Sequence, residues 1–181
     1  MLFFIRRGRE NQREMTVTTF DVGQDASSKR YVYQVAGEVD KNHDVNDAQH
    51  DTTGEGRMYE TGTDRCPYKT FLLYKSKLNP KQKSLWQRAK TTCSPTDAIW
   101  YVNAPIGVNT LGNMMSKLSV KYGLSQKYTN HSLRVTSLQA LNDANIEVRH
   151  IVRVSEHKSE TSIKHYARTL SAGKNGIFLL L

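Results

Sequence analysis

The pattern of apolar and polar positions predicts a small antiparallel sheet in the first third of the chain. Residues 30–35 are rich in β-branched and aromatic side chains, which predicts a strand. Residues 57–60 predict a short returning strand, and the polar, acidic stretch 44–55 before it predicts a loop. Lys41 would then lie at or near the exposed tip of a hairpin.

Around this sheet the pattern predicts both helices and further short strands. Residues 10–15 predict a helix that runs on into the apolar positions after it. Pro67 suits the first turn of another helix, which the Asn79-Pro80 pair ends. Residues 84–87 and 98–102 then predict two short strands.

Apolar residues at helical spacing predict the next helix and its buried face. Asn109 or Thr110 is suited to cap this helix, and Gly123 to end it. The apolar positions are Leu111, Met114, Met115, Leu118 and Tyr122. Their spacing is typical of a core stripe and not of a cofactor motif.

A further predicted helix carries a histidine and an arginine on one face. Thr129 or Asn130 caps it, and His131 and Arg134 follow, three residues apart. The apolar residues predicted to bury this helix are Leu138 and Leu141.

Two shorter helices complete the prediction. One spans residues 147–155, and the last is capped by Ser159 and carries Tyr166. The fold class expected from the whole pattern is α+β, mainly helical, with a small antiparallel sheet near the N-terminal end.

Composition and charge favour a globular chain that binds a polyanion. The 181 residues are 38% hydrophobic and 24% charged, which is ordinary for one globular domain. The net charge of +9 favours nucleic acid as a partner ahead of a membrane surface. Cys66 and Cys93 have no cysteine or histidine at ligand spacing, so no metal site or disulfide framework is expected. No apolar run approaches the ~20 residues of a membrane span.

Four residues have the types that phosphodiester chemistry requires. They are His131, Arg134, His157 and Tyr166. His157 follows Arg134 by 23 residues, and Tyr166 follows His157 by nine. An arginine can hold two phosphate oxygens, a histidine can move or steady a proton, and a tyrosine can attack phosphorus and leave again. This chemistry needs neither a metal ion nor ATP, so no cofactor and no small-molecule substrate are expected.

These residues and their intervals resemble the motif of the tyrosine recombinases. The stretches around them are similar to the Crypton group of DNA transposons and to the Crypton-derived domains of MYM-type zinc-finger proteins. The similar stretches are residues 7–11, 40–43, 53–60 and 128–134. The resemblance implies the catalytic-domain fold of the phage integrase type, double-stranded DNA as partner, assembly as a homo-oligomer on DNA, and a nuclear location.

The resemblance also implies a role for each matching residue. Tyr166 would form a 3′-phosphotyrosyl link, Arg134 would bind the phosphate and His131 would act as acid or base. His157 would hydrogen-bond the phosphate, and Lys41 would be the general acid. The first phosphate-binding arginine would be Arg13, with Arg9 and Arg7 as alternatives. The residues expected to contact DNA are Arg9, Arg7 and Lys158.

The chain also departs from the recombinase pattern. Glu156 stands where the family usually has a glycine, and the family's N-terminal DNA-clamping domain is not recognised in the sequence. A catalytic domain over residues 1–168, truncated at its start, and a tail over 169–181 are therefore expected.

Two functions stay open. One is DNA recombination or integration by strand cleavage and rejoining, and the other is a non-catalytic DNA- or chromatin-binding module derived from a recombinase.

Overall fold

The computed structural model describes residue 4, residues 12–35, residues 56–155 and residue 161. The chain divides into two compact units, Arg9–Gly112 and a second one formed by Met1–Gly8 and Asn113–Leu181. Five helices and five strands in two antiparallel sheets lie in the described part of the chain. The α+β class predicted from the sequence is therefore confirmed at this level.

The first unit contains a three-stranded antiparallel sheet. Its strands are β1 (Phe20–Gln24), β2 (Arg30–Gln34) and β3 (Arg57–Tyr59), in the order β1-β2-β3. Val32 of β2 pairs with Met58 of β3, and both side chains are buried. The two strands predicted at residues 30–35 and 57–60 are thus confirmed. Lys41 lies between them in the sequence, outside the described residues.

The prediction of a helix over residues 10–15 is wrong for residues 12–15, which are the part of that range that the structure describes. Residues 12–14 form a turn, and the apolar residue Phe20 begins β1. The backbone N–H of Thr16 donates to Oγ1 of Thr19 at 2.9 Å. Such local side-chain bonds compete with helical hydrogen bonding, and this threonine-rich stretch therefore favours a turn.

The first unit continues with a helix and a two-stranded sheet. These elements are α1 (Pro67–Ser76), β4 (Gln87–Ala89) and β5 (Tyr101–Pro105). The hydroxyl of Tyr74 on α1 donates to the carbonyl of Leu85 at 2.6 Å, and its ring packs on Trp86 and Tyr101. Burial raises the pKa of Tyr74. The helix starts at Pro67 as predicted, whereas both strands begin three residues later than predicted.

A buried thiol precedes α1. Cys66 is the residue before the first helical turn, and both Cys66 and Cys93 are free thiols. Burial acts to raise the pKa of Cys66, but donors from Lys69, Thr61 and Gly62 outweigh it and lower the pKa to about 7.

The predicted apolar stripe does not form one continuous buried face. The helix breaks into α2 (Val108–Gly112) and α3 (Met114–Lys121), and it begins before both predicted caps. Leu111 is buried, but Tyr122 is 65% exposed. The buried residue of α3 is Ser119 and not one of the predicted apolar positions. Gly123 follows the helix with a φ of 58°, as a helix stop requires.

The second unit contains the helix that carries the histidine and arginine. This helix is α4 (Asn130–Asp143), and it packs on α5 (Val148–Ser155). Leu138 and Ile151 are buried at the centre of this contact, and Leu141 packs against them partly buried, so the predicted burial of Leu138 is confirmed. The predicted last helix with Tyr166 lies outside the described residues.

Candidate functional site

The N-terminal end of α4 is fixed by local bonds and by α3. The backbone N–H of Thr129 donates to Oγ of Ser132 at 3.1 Å, and that of Ser132 donates to the carbonyl of Thr129 at 3.0 Å. Asn130 is buried, and its Oδ1 accepts the backbone N–H of Met115 at 3.1 Å. The helix therefore starts at a defined residue, which sets the direction of the side chains in its first turns.

Arg134 links α4 to the C-terminal end of α5. Its side chain is buried, with 3% of its surface exposed. Its Nη2 donates to the carbonyl of Ser155, the last residue of α5, at 2.5 Å. Helix C-termini carry partial negative charge, so this end of α5 is a favourable place for a guanidinium. The contact therefore joins Arg134 to Ser155, the residue that stands two positions before His157 in the sequence.

His131 differs from Arg134 in its environment. Both residues lie in the first turns of α4, but His131 is exposed to solvent. An exposed imidazole can exchange protons with solvent or with a bound substrate, whereas a buried guanidinium can hold an anion in a fixed direction. The two residues therefore differ in access to solvent, which His131 has and Arg134 largely lacks.

Arg13 lies in the first unit and is half-buried. Its Nε donates to the carbonyl of Ile106, just after β5, at 2.7 Å. The two Nη groups form no hydrogen bond with any residue in the described ranges. Arg13 and Arg134 belong to different units of the chain.

The other predicted site residues lie outside the described ranges. These residues are Tyr166, His157, Lys41, Arg9, Arg7 and Lys158. The structure therefore describes Arg134, His131 and Arg13 among the predicted set.

Ser155 is a contact residue that the sequence prediction missed. It is buried, and its carbonyl accepts the guanidinium of Arg134. A serine at the end of an apolar helical stretch gives no signal of its own. Its position two residues before His157 is the only sequence feature that could have drawn attention to it.

Positive charge is distributed unevenly along the sequence. Residues 113–181 contain ten Lys or Arg and four Asp or Glu, whereas residues 9–112 contain fourteen and thirteen. Most of the net charge of +9 therefore belongs to the part of the chain that includes α4 and α5. The exposed cations of that part, within the described residues, are Lys117, Lys121, Lys127 and Arg149.

Neither a metal-binding cluster nor a membrane-spanning helix occurs in the described residues. No group of three or more histidine, cysteine, aspartate or glutamate side chains in those ranges is placed to bind a metal ion. No helix within the same ranges is long and apolar enough to cross a membrane.

Comparison with known proteins places the chain in a family. The profile of a family described as a domain of unknown function (DUF3504) matches residues 3–120, which is more than half of the chain. The chain belongs to the DUF3504 family. No curated protein matches it.

The DUF3504 match covers only part of the candidate site. It includes Arg13 and Lys41, and it ends before α4 with His131 and Arg134. The family description names no activity. The function therefore has to be argued from the residues of this DUF3504 protein themselves.

Proposed function

We propose that this protein cleaves and rejoins DNA strands through a 3′-phosphotyrosyl intermediate, as a tyrosine recombinase or integrase with a phage integrase-type catalytic fold. The observation that supports the proposal is the contact between Arg134 and Ser155. It ties the arginine of the His-x-x-Arg pair to the helix end that precedes His157 by two residues. The helix that carries this pair is therefore bonded to the end of α5, and His157 follows that end by two residues in the sequence.

Each step of the reaction has a candidate residue in this chain. Tyr166 passes its phenolic proton to His131 as it attacks the scissile phosphorus, and the 5′-oxygen leaves with a proton from Lys41. Arg134 and Arg13 hold the non-bridging oxygens as negative charge develops on them. His131 acts as acid or base, and His157 hydrogen-bonds the phosphate. Rejoining is the reverse attack by a 5′-hydroxyl, so the bond energy is kept in the tyrosyl ester.

The positive charge of the chain supports duplex DNA as the substrate, and the nuclear location follows from the resemblance to Crypton recombinases. A protein that neutralises phosphates releases counterions from DNA, and this term dominates affinity at low salt. The excess of cations in residues 113–181 would place most of these contacts around α4 and α5. Assembly of several copies on one DNA site is part of the same proposal.

The second candidate function is a DNA- or chromatin-binding module without catalysis. The observation that favours it is that Arg134 already donates to a protein carbonyl, so one of its amines serves the packing of α4 on α5. Glu156, adjacent to Ser155 in the sequence, also brings a negative charge close to the motif. This module would bind DNA through the same cations but form no covalent link.

Adduct trapping separates the two functions. The full chain is incubated with a library of duplexes of random sequence, each nicked so that the fragment released by cleavage diffuses away. We expect a protein–DNA adduct that survives denaturant with the natural chain and none with Tyr166→Phe. Binding should be unchanged in the variant, because only the nucleophilic oxygen is lost.

Tyr122→Phe is the matched control, because Tyr122 is an exposed tyrosine outside the motif. This variant should form as much adduct as the natural chain. DNA binding without any adduct would favour the binding module. An adduct that persists in Tyr166→Phe would exclude Tyr166 as the nucleophile.

A further inference from the structure

A loop in the first unit is held in one conformation by a buried glutamine. Residues 79–84 connect the α1 region to β4, and Gln87 at the start of β4 is buried beneath them. Oε1 of Gln87 accepts the backbone N–H of Asn79 at 2.8 Å. Its Nε2 lies 3.3, 3.2 and 3.1 Å from the carbonyl oxygens of Asn79, Gln82 and Ser84. One side chain therefore contacts the backbone of three residues of the loop, Asn79, Gln82 and Ser84.

Bonds at its ends and within it hold the same loop. The carbonyl of Lys83 accepts the backbone N–H of Val17 at 2.9 Å. Oδ1 of Asn79 accepts the N–H of Lys81 at 3.0 Å, and Oε1 of Gln82 accepts that of Ser84 at 3.0 Å. The conformation of this loop is therefore formed before any ligand binds, and binding need not order it.

The loop presents two lysines to solvent. Lys81 and Lys83 are exposed, and their ammonium groups form no hydrogen bond or ion pair with any residue that the structure describes. Two nearby lysines behave differently. Lys75 donates to the carbonyl of Phe20 at 3.2 Å, and Lys77 donates to that of Asp97 at 2.6 Å. The ammonium groups of Lys75 and Lys77 are thus bonded within the fold, whereas those of Lys81 and Lys83 are accessible to a ligand.

The charge of the surrounding sequence indicates the chemistry of that ligand. Residues 65–96 contain eight Lys or Arg and no Asp or Glu. In the rest of the first unit, acidic residues outnumber basic ones. Exposed cations in a solvated face are usually mixed with carboxylates. A stretch without any carboxylate around a preformed lysine loop is complementary to a polyanion with closely spaced charges.

We propose that Lys81 and Lys83 on the Gln87-supported loop contact the phosphate backbone of duplex nucleic acid. The proposal assigns a binding surface outside the strand-cleaving site. It rests on the proposed function only in taking duplex DNA as the partner, and it needs no covalent chemistry. Because phosphate contacts carry no base information, this surface would add affinity at any sequence.

The salt dependence of DNA binding tests the proposal. The full chain is titrated into a fluorescent duplex of random sequence at several salt concentrations, with anisotropy as the readout. Each lost phosphate contact lowers the slope of log affinity against log salt by about 0.9. Lys81→Gln with Lys83→Gln should therefore flatten the slope by about 2 and weaken binding about 10- to 100-fold at ~0.1 M salt.

A second double variant removes the same charge elsewhere in the first unit. Lys29 and Arg57 lie over the rings of Tyr59 and Tyr31, at 5.2 and 4.5 Å from their centroids. Lys29→Gln with Arg57→Gln should change the slope by less than about 0.5, because no phosphate contact is assigned there. Circular dichroism establishes that both double variants are folded.

Three outcomes would overturn the proposal. They are an unchanged slope in the loop variant, equal slope changes in both double variants, and absence of binding by the natural chain at ~50 mM salt, a condition that favours phosphate contacts. The adduct experiment remains separate. A flattened slope without any adduct would support the loop and contradict strand cleavage.

Discussion

Replacing Arg134 with alanine is expected to lower the free energy of unfolding by about 2–4 kcal/mol. The substitution leaves the buried carbonyl of Ser155 without its guanidinium donor and opens a cavity between α4 and α5. Arg134→Lys keeps the charge and much of the volume, so it should retain more stability. Urea denaturation followed by circular dichroism measures these changes.

Arg134 should also control the rate of DNA strand cleavage. In Arg134→Lys the fork that can hold two phosphate oxygens is lost, so adduct formation should slow by about 10²- to 10³-fold. Arg149→Ala is the matched control, because that side chain is 70% exposed and pairs only with the exposed Glu147 among the described residues. Its stability should change by less than about 0.5 kcal/mol. An Arg134→Ala protein as stable and as active as the natural chain would contradict both roles.

Replacing Gln87 with alanine should lower the free energy of unfolding of the first unit by about 2–4 kcal/mol, since several buried backbone groups lose their partners. The carbonyls of Asn79, Gln82 and Ser84 would remain near the space that the amide vacates. The cost should therefore exceed that of an ordinary surface substitution.

Tryptophan fluorescence is suited to this measurement. The two tryptophans of the chain, Trp86 and Trp100, both belong to the first unit. Gln126→Ala provides the control, because this side chain is exposed and lies in the second unit. A Gln87→Ala midpoint equal to that of the natural chain would show that the loop does not depend on the buried amide.

The elements that local sequence determines were predicted correctly. The strand at Arg30–Gln34 follows from β-branched and aromatic residues, and α1 follows from Pro67. Strand β1 was missed because Phe20 and Val22 also fit the end of a helical pattern. Pairing with β2 decides between the two, and a short apolar pattern does not contain that information.

In the candidate site, too, local sequence determines some features and the packing of distant segments determines others. The position of His131 and Arg134 at the start of α4 follows from the capping residue and the helical spacing. The bond from Arg134 to Ser155 depends on how α4 packs on α5, which no local pattern encodes. The buried amide of Gln87 was missed for the same reason, because its partners lie in the preceding loop and only packing excludes water from them.

The chemical identity of the trapped adduct tests strand cleavage most directly. The adduct is digested with nuclease and protease, and mass spectrometry identifies the peptide that carries a nucleotide. We predict that the peptide contains Tyr166 and that its phenolic oxygen is joined to a 3′-phosphate. A nucleotide on another residue, or a link to a 5′-phosphate, would contradict the mechanism proposed for this protein.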